Sequence, residues 1–195
     1  MQKHCDNALG VAQFLQADPR VAWVNYPGLP DHPQHALMQR QMRGASGLLA
    51  FGVKGGLAQG VTFIESAQFM SHLVNIGDTR TLISHPASTT HRQLDAAQQL
   101  AAGVLPDMVR ISVGLEHIDD ILWDIDQALA AVQEAQNAPP EQRDSMLANA
   151  IGMLTQVAPL LTQTSAQLAG VRAARPQMKS PQTRSIPEEM RDVAP

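Results

Sequence analysis

Apolar positions recur along this chain with two different periods, and the switch between them lays out its elements. Over residues 3–17, Leu9, Ala12 and Leu15 fall at helical spacing. Asp18-Pro19-Arg20 breaks that helix, and residues 21–25 (VAWVN) read as a strand rich in β-formers. From Tyr26 to His35, three prolines and Gly28 exclude a regular element. A short helix is expected near 35–42. Over 46–54, Leu49, Phe51 and Val53 share one parity, which predicts a second strand bounded by Gly55-Gly56. Phe63, Ala67, Met70 and Val74 form the stripe of a helix expected over 58–75. Residues 80–84 (RTLIS) predict a third strand that stops at His85-Pro86. A helix over 93–102 ends at Gly103. Val109, Ile111 and Val113 mark a fourth strand by parity. A long helix follows, with Ile118, Ile121, Leu122, Ile125, Leu129 and Val132 on one stripe and Asp119 and Asp120 beside the free N–H groups of its first turn.

About four strands interleaved with helices of single apolar stripe predict an α/β domain with helices packed on one face of a sheet. Periodicity leaves strand order and direction open. The pattern divides the chain into a domain over 1–135, a linker and added C-terminal helix over 136–171, and a tail over 172–195. Leu147, Ile151, Leu154, Ala158 and Leu161 form the stripe of the added helix, which Pro159 is expected to kink. The tail is poor in apolar residues and rich in proline, a composition that predicts disorder.

Charge narrows the function classes. The formal net charge is -4 and no basic run stands out, so a nucleic-acid partner is not expected. No apolar stretch reaches membrane-spanning length, and the first ten residues carry no apolar signal core. The single cysteine, Cys5, has no internal partner for a disulfide, and a cytoplasmic location is expected.

Arg110 is the sharpest candidate residue. Its neighbours Val109 and Ile111 belong to the core face, so its own side chain is expected on the opposite face. A guanidinium held on a strand is a rigid fork matched to a carboxylate; the alternative is an ion pair with an aspartate of the same domain. Other groups carry less. His32, His35, His85 and His91 lack the clustered spacing of a zinc site, and no metal is expected. The glycines between Gly44 and Gly56 match neither dinucleotide nor P-loop spacing. Lys54 at a strand end reads as solvated rather than as a Schiff-base lysine. Ser84, His85 and Ser88 lack a nucleophile elbow, and Ser88, Thr89 and Thr90 are expected to cap a helix starting near His91.

Four ordered blocks then point to a family. They are VNYPGLPDHPQHAL (24–37), GASGLLAFGVKGG (44–56), NIGDTRTLISHPASTTHRQL (75–94) and VRISVGLEHIDDILWDIDQAL (109–129). Together they resemble the small C-terminal domain of the Cys/Met-metabolism enzymes that use pyridoxal 5′-phosphate, a fold-type I group, and within it the O-acetylhomoserine sulfhydrylase branch. The resemblance covers about residues 1–135. It implies a small domain packed on a larger cofactor domain, with the active site between them, in a homotetramer built from dimers. It implies a transferase of methionine biosynthesis. The cofactor stabilises a carbanion, acetate leaves O-acetyl-L-homoserine, and sulfide or a thiol takes its place.

On this resemblance, Arg110 matches the arginine that grips the substrate α-carboxylate. Thr81 matches a small-residue position near cofactor and substrate, and Arg80 stands where cystathionine enzymes have glutamate. The family's Schiff-base lysine, pyridine-nitrogen aspartate, stacking aromatic and phosphate contacts belong to a large domain with no match here. The resemblance therefore implies no covalent cofactor binding and no turnover by this chain alone. Expected partners are a chain carrying the large domain, which would restore a composite site, or a second copy of this chain. The rival readings are a non-catalytic interaction or assembly module and a residual truncated gene product.

Overall fold

The computed structural model describes residues 1–139, and the helical extension expected from 141 and the tail expected over 172–195 lie outside the described residues. Helix α1 (Gln2–Ala17) is followed by β1 (Val21–Asn25), α2 (His35–Gln41), β2 (Leu48–Val53) and α3 (Leu57–Ser66). Then come β3 (Ser71–His72), β4 (Leu82–Ser84), α4 (Ala96–Ala101), β5 (Met108–Ser112) and α5 (Ile118–Asn137). The strands form one α/β sheet in the order β1-β2-β5-β4-β3. Three pairings are antiparallel and the β3–β4 pairing is parallel, so the sheet is mixed.

Parity builds the core. Leu49, Phe51 and Val53 of β2 and Val109 and Ile111 of β5 are buried in one apolar cluster, with Ile83 of β4 and Val113 just past β5. The cluster takes Val11 and Leu15 from α1, Phe63 and Ile64 from α3, and Ile121, Ile125 and Leu129 from α5. Helices α1, α3 and α5 thus cover one face of the sheet, as their single stripes require. Phe51 and Phe63 meet edge to face with centroids 5.4 Å apart, tying β2 to α3. Both α1 and α5 end in extended backbone at Asp18 and Ala138, the latter just before Pro139.

Four expectations are corrected. Helix α3 stops at Ser66 rather than near residue 75, because a carboxylate distant in sequence captures the next turn. Buried Asp124 on α5 accepts the backbone N–H groups of Gln68 (2.8 Å), Phe69 (3.0 Å) and Met70 (2.8 Å). Those donors are thereby held in a turn that delivers the chain into β3, a fifth strand where four were expected. Helix α4 begins at Ala96, not near 91–93, because Asp95 and Gln98 form a reciprocal capping box. The expected Ser88–Thr90 cap is absent from it; Thr89 Oγ1 instead donates to the His85 carbonyl at 2.7 Å.

Candidate functional site

The second face of the sheet has a different chemistry. Antiparallel register sets Arg110 directly between Ala50 of β2 and Ser84 of β4. Directly paired residues point to the same side, so this row lies opposite the apolar cluster. Two small flanking side chains leave the guanidinium uncrowded. Trp23 covers the neighbouring row: its Nε1 donates to Asp107 at 2.9 Å, over Gly52, where a Cβ would sit 2.1 Å from that nitrogen.

A loop then runs along β5 on this face. Arg110 Nη2 donates to the Asn75 carbonyl at 3.2 Å, the Gly77 N–H donates to Ser112 Oγ at 3.3 Å, and the Leu115 N–H donates to the Thr79 carbonyl at 2.8 Å. The chain reverses at Arg80–Thr81 and returns as β4. Arg110 is half-buried and forms no salt bridge among the described residues, so the intradomain ion pair weighed above is not formed there. A guanidinium has five donors, and one of them meets a protein acceptor among the described residues. A planar cation with uncommitted donors, flanked by small residues, has the chemistry to pair with a planar anion.

Thr81 stands elsewhere. Leu82 pairs with Ser112 and Ser84 with Arg110, so the odd positions of this segment face the core side. Thr81 is fully buried there. Its hydroxyl donates to Glu116 at 2.9 Å and accepts the Gly114 N–H at 2.9 Å. The register therefore does not bring Thr81 and Arg110 together; they occupy opposite sides of the sheet, joined through the loop. Sequence reasoning missed Asn75 and Glu116. Asn75 acts through a backbone carbonyl, which no side-chain pattern announces, and Glu116 is recognisable only once Thr81 is placed.

The remaining candidates are held in structural bonds. Lys54 Nζ donates to the Pro19 carbonyl at 2.6 Å. His85 is fully buried, with Nε2 2.8 Å from the Pro106 carbonyl and Nδ1 2.8 Å from Ser88 Oγ. The carbonyl only accepts, so Nε2 carries the proton and Nδ1 accepts from Ser88. Burial pushes the His85 pKa below the ordinary histidine value, which favours the neutral ring. His32 contacts Asn25 Oδ1 and His35 the Pro27 carbonyl, and no metal-binding cluster exists among the described residues. A groove of about 350 Å³ beside α1 and α2 is lined by Cys5, Leu9, Tyr26, Met38 and Arg43, among others, and does not include Arg110. Burial raises the Tyr26 phenol to about 12, and its hydroxyl donates to the Ser46 carbonyl at 2.9 Å. No described helix is long and apolar enough to cross a membrane.

Known proteins are similar in sequence to the described region. The Cys/Met metabolism PLP-dependent enzyme profile matches residues 1–130. O-acetyl-L-homoserine sulfhydrylase 1 of Thermus thermophilus is 52% identical over 130 residues, 66% of this chain and 31% of that protein. The O-acetyl-L-homoserine sulfhydrylase of Leptospira meyeri is 49% identical over 131 residues, 66% of this chain and 30% of that protein. An L-methionine gamma-lyase of Pseudomonas deceptionensis is 45% identical over 132 residues, 68% of this chain and 33% of that protein. The chain thus spans about a third of the length of the relatives it matches. With its mixed sheet and the profile match over residues 1–130, this chain belongs to the Cys/Met metabolism PLP-dependent enzyme family.

Proposed function

We propose that this chain supplies the substrate-carboxylate grip of an O-acetylhomoserine sulfhydrylase, a transferase that exchanges acetate for sulfide or a thiol. The observation that carries the reading is Arg110: a half-buried guanidinium on the open face with most of its donors uncommitted among the described residues. Its task is to bind and orient the α-carboxylate of O-acetyl-L-homoserine by a two-pronged contact. Thr81 acts beneath that site, through the loop it helps to fasten.

Pyridoxal phosphate is the cofactor of this family and supplies an electron sink for carbanion chemistry. The described residues do not fit it. A covalent anchor requires a lysine, and the two described lysines are Lys3, exposed on α1, and Lys54, bonded to Pro19. The third lysine, Lys179, lies outside the described residues. The cofactor-bearing part is proposed to come from another polypeptide stretch or a partner chain. The exposed apolar run Phe69, Leu73, Val74 and Ile76 borders the Arg110 loop and offers a surface for it. The same run supports the second reading, a non-catalytic interaction module.

A chimera tests the proposal. Residues 1–130 replace the matching stretch of the Thermus relative, and acetate release from O-acetyl-L-homoserine is measured. The chimera is expected to turn over, and Arg110→Lys is expected to lower kcat/KM by about 10–100-fold, the worth of a bidentate charge-assisted contact of about 1.5–3 kcal/mol. A folded, cofactor-loaded chimera that is indifferent to Arg110→Ala overturns the reading.

A further inference from the structure

We propose that Glu116 is a positioning residue for Arg110, acting as the latch of the loop that orients the guanidinium. The inference rests on the carboxylate role given to Arg110 above. Glu116 is half-buried just before α5, and both of its oxygens are used on one residue. Oε1 accepts the Thr81 N–H at 2.5 Å and Oε2 accepts the Thr81 hydroxyl at 2.9 Å. The same hydroxyl accepts from the Gly114 N–H, so the carboxylate, the threonine and the β5–α5 loop close one ring of hydrogen bonds. This ring sits where the chain, having run along β5 from Asn75 to Thr79, turns back into β4.

Close packing makes the latch stiff. A Cβ on Gly114 would lie 2.5 Å from both the Thr79 carbonyl oxygen and the Arg80 carbonyl carbon, so the two backbones touch with no room for a side chain. The far side of the latch is anchored to α1. Asn7, buried, donates to the carbonyls of Gly114 (3.1 Å) and Glu116 (3.0 Å), and buried His4 meets the Val113 carbonyl at 2.7 Å. A continuous path therefore runs from α1 through the 113–116 segment and Glu116 to Thr81. It continues along the loop to the Asn75 carbonyl, which holds one arm of Arg110. Without the latch, that carbonyl keeps the Gly77 and Thr79 contacts on one side and the β3–β4 pairing, ending at Leu73 N–H on the Ile83 carbonyl, on the other, while the turn into β4 loses its tie to the 114–116 segment. The Arg80–Asp78 pair joins residues two apart within the turn, with Arg80 exposed, and does not tie the loop to β5.

The test reads the guanidinium directly in the full chain, without substrate. In proton–nitrogen correlation spectra, the Arg110 Nε–Hε signal of the unaltered chain is expected to be dispersed, assigned by its loss in Arg110→Lys. Glu116→Ala and Thr81→Val are each expected to collapse it toward the position of a freely rotating arginine and to raise amide exchange at Gly77 and Leu115 by at least about tenfold. Glu116→Gln, which keeps one strong acceptor, is expected to restore part of the dispersion. Far-UV circular dichroism guards against global unfolding; should Glu116→Ala unfold, Thr81→Val and Glu116→Gln carry the same readout. An Arg110 signal identical to the unaltered chain in folded Glu116→Ala or Thr81→Val overturns the inference, even if stability falls. Titration of O-acetyl-L-homoserine separates the two proposals. A latch-sensitive Arg110 signal that ignores the ligand counts against the carboxylate role alone, and a ligand-sensitive signal indifferent to Glu116 counts against the latch alone.

Discussion

Replacing Asp124 should cost more stability than any ordinary surface carboxylate, because its role is to collect backbone donors. Its carboxylate accepts three consecutive N–H groups, with Phe69 and Met70 on one oxygen and Gln68 on the other, beside the Gln127 amide at 2.9 Å. A hydrogen bond to a charged group contributes about 1.5–3 kcal/mol, and a buried donor left without a partner costs about 1–3 kcal/mol. Only the Met70 bond is fully buried, whereas water can replace part of the other two. Asp124→Ala should therefore destabilise the chain by about 3–5 kcal/mol, a large fraction of the roughly 5–15 kcal/mol typical of a domain. Asp124→Asn keeps the volume but turns an amide NH2 toward backbone donors, and it should lose at least about 2 kcal/mol. Urea unfolding followed by circular dichroism measures both: with a slope of about 1–3 kcal/mol per molar, the Ala midpoint should fall by more than about 1 M. A shift below about 0.5 kcal/mol in both variants would mean that the turn holds itself, and that Asp124 is a passenger.

The neutral, buried His85 makes stability depend on pH. Its folded pKa lies below the ordinary 6.5, so the unfolded chain takes up the proton first. Stability should be unaffected above that value and fall as pH drops from 6.5 toward the lower folded pKa, with a shallower slope in His85→Gln; equal slopes by urea titration refute the assignment. At Gly60, a Cβ would lie 2.4 Å from His85 Nε2, on a ring bonded at both nitrogens. Gly60→Ala should destabilise by about 1–3 kcal/mol, and by clearly less in a His85→Ala background; additive effects in that double-mutant cycle would show that the ring does not limit the site.

What the sequence revealed, and what it hid, follows from the range of the forces. Parity along one strand is local, so Leu49, Phe51 and Val53 were assignable to the core, and Arg110 to the opposite face, from spacing alone. The end of α3 was not, because Phe63 and Met70 lie seven residues apart and continue a helical stripe on paper. The groups that break the stripe sit on α5, more than fifty positions later. A two-residue strand, Ser71–His72, has no period to detect. Strand order and direction were likewise out of reach, since they depend on pairing between segments far apart in the chain. Thr81 shows the same boundary: family likeness placed it near the site, and only the Leu82–Ser112 register places it on the core side.

If Arg110 grips a substrate carboxylate as proposed, its placement sets what that grip requires. An ion pair formed in open solvent contributes about 0–1 kcal/mol, too little to hold a small amino acid at millimolar concentration, which requires about 4 kcal/mol. The guanidinium stands on an open face, half-buried, so by itself it is a weak receptor. Its strength has to come from a cover that removes water and lowers the local dielectric. The apolar side chains exposed beside it, Phe69, Leu73, Val74 and Ile76, are where such a cover gains most by docking, since each is at least 43% exposed and lies on the segment leading into the Arg110 loop. A stiff loop then matters more than a tight one. If Glu116 and Asp124 hold the two ends of the 68–81 segment before the cover arrives, docking need not pay to order it, and the carboxylate fork is already aimed. Under the proposed carboxylate role, weakening either carboxylate should impair docking of the cover and substrate grip together, while Arg110→Lys should impair substrate grip alone.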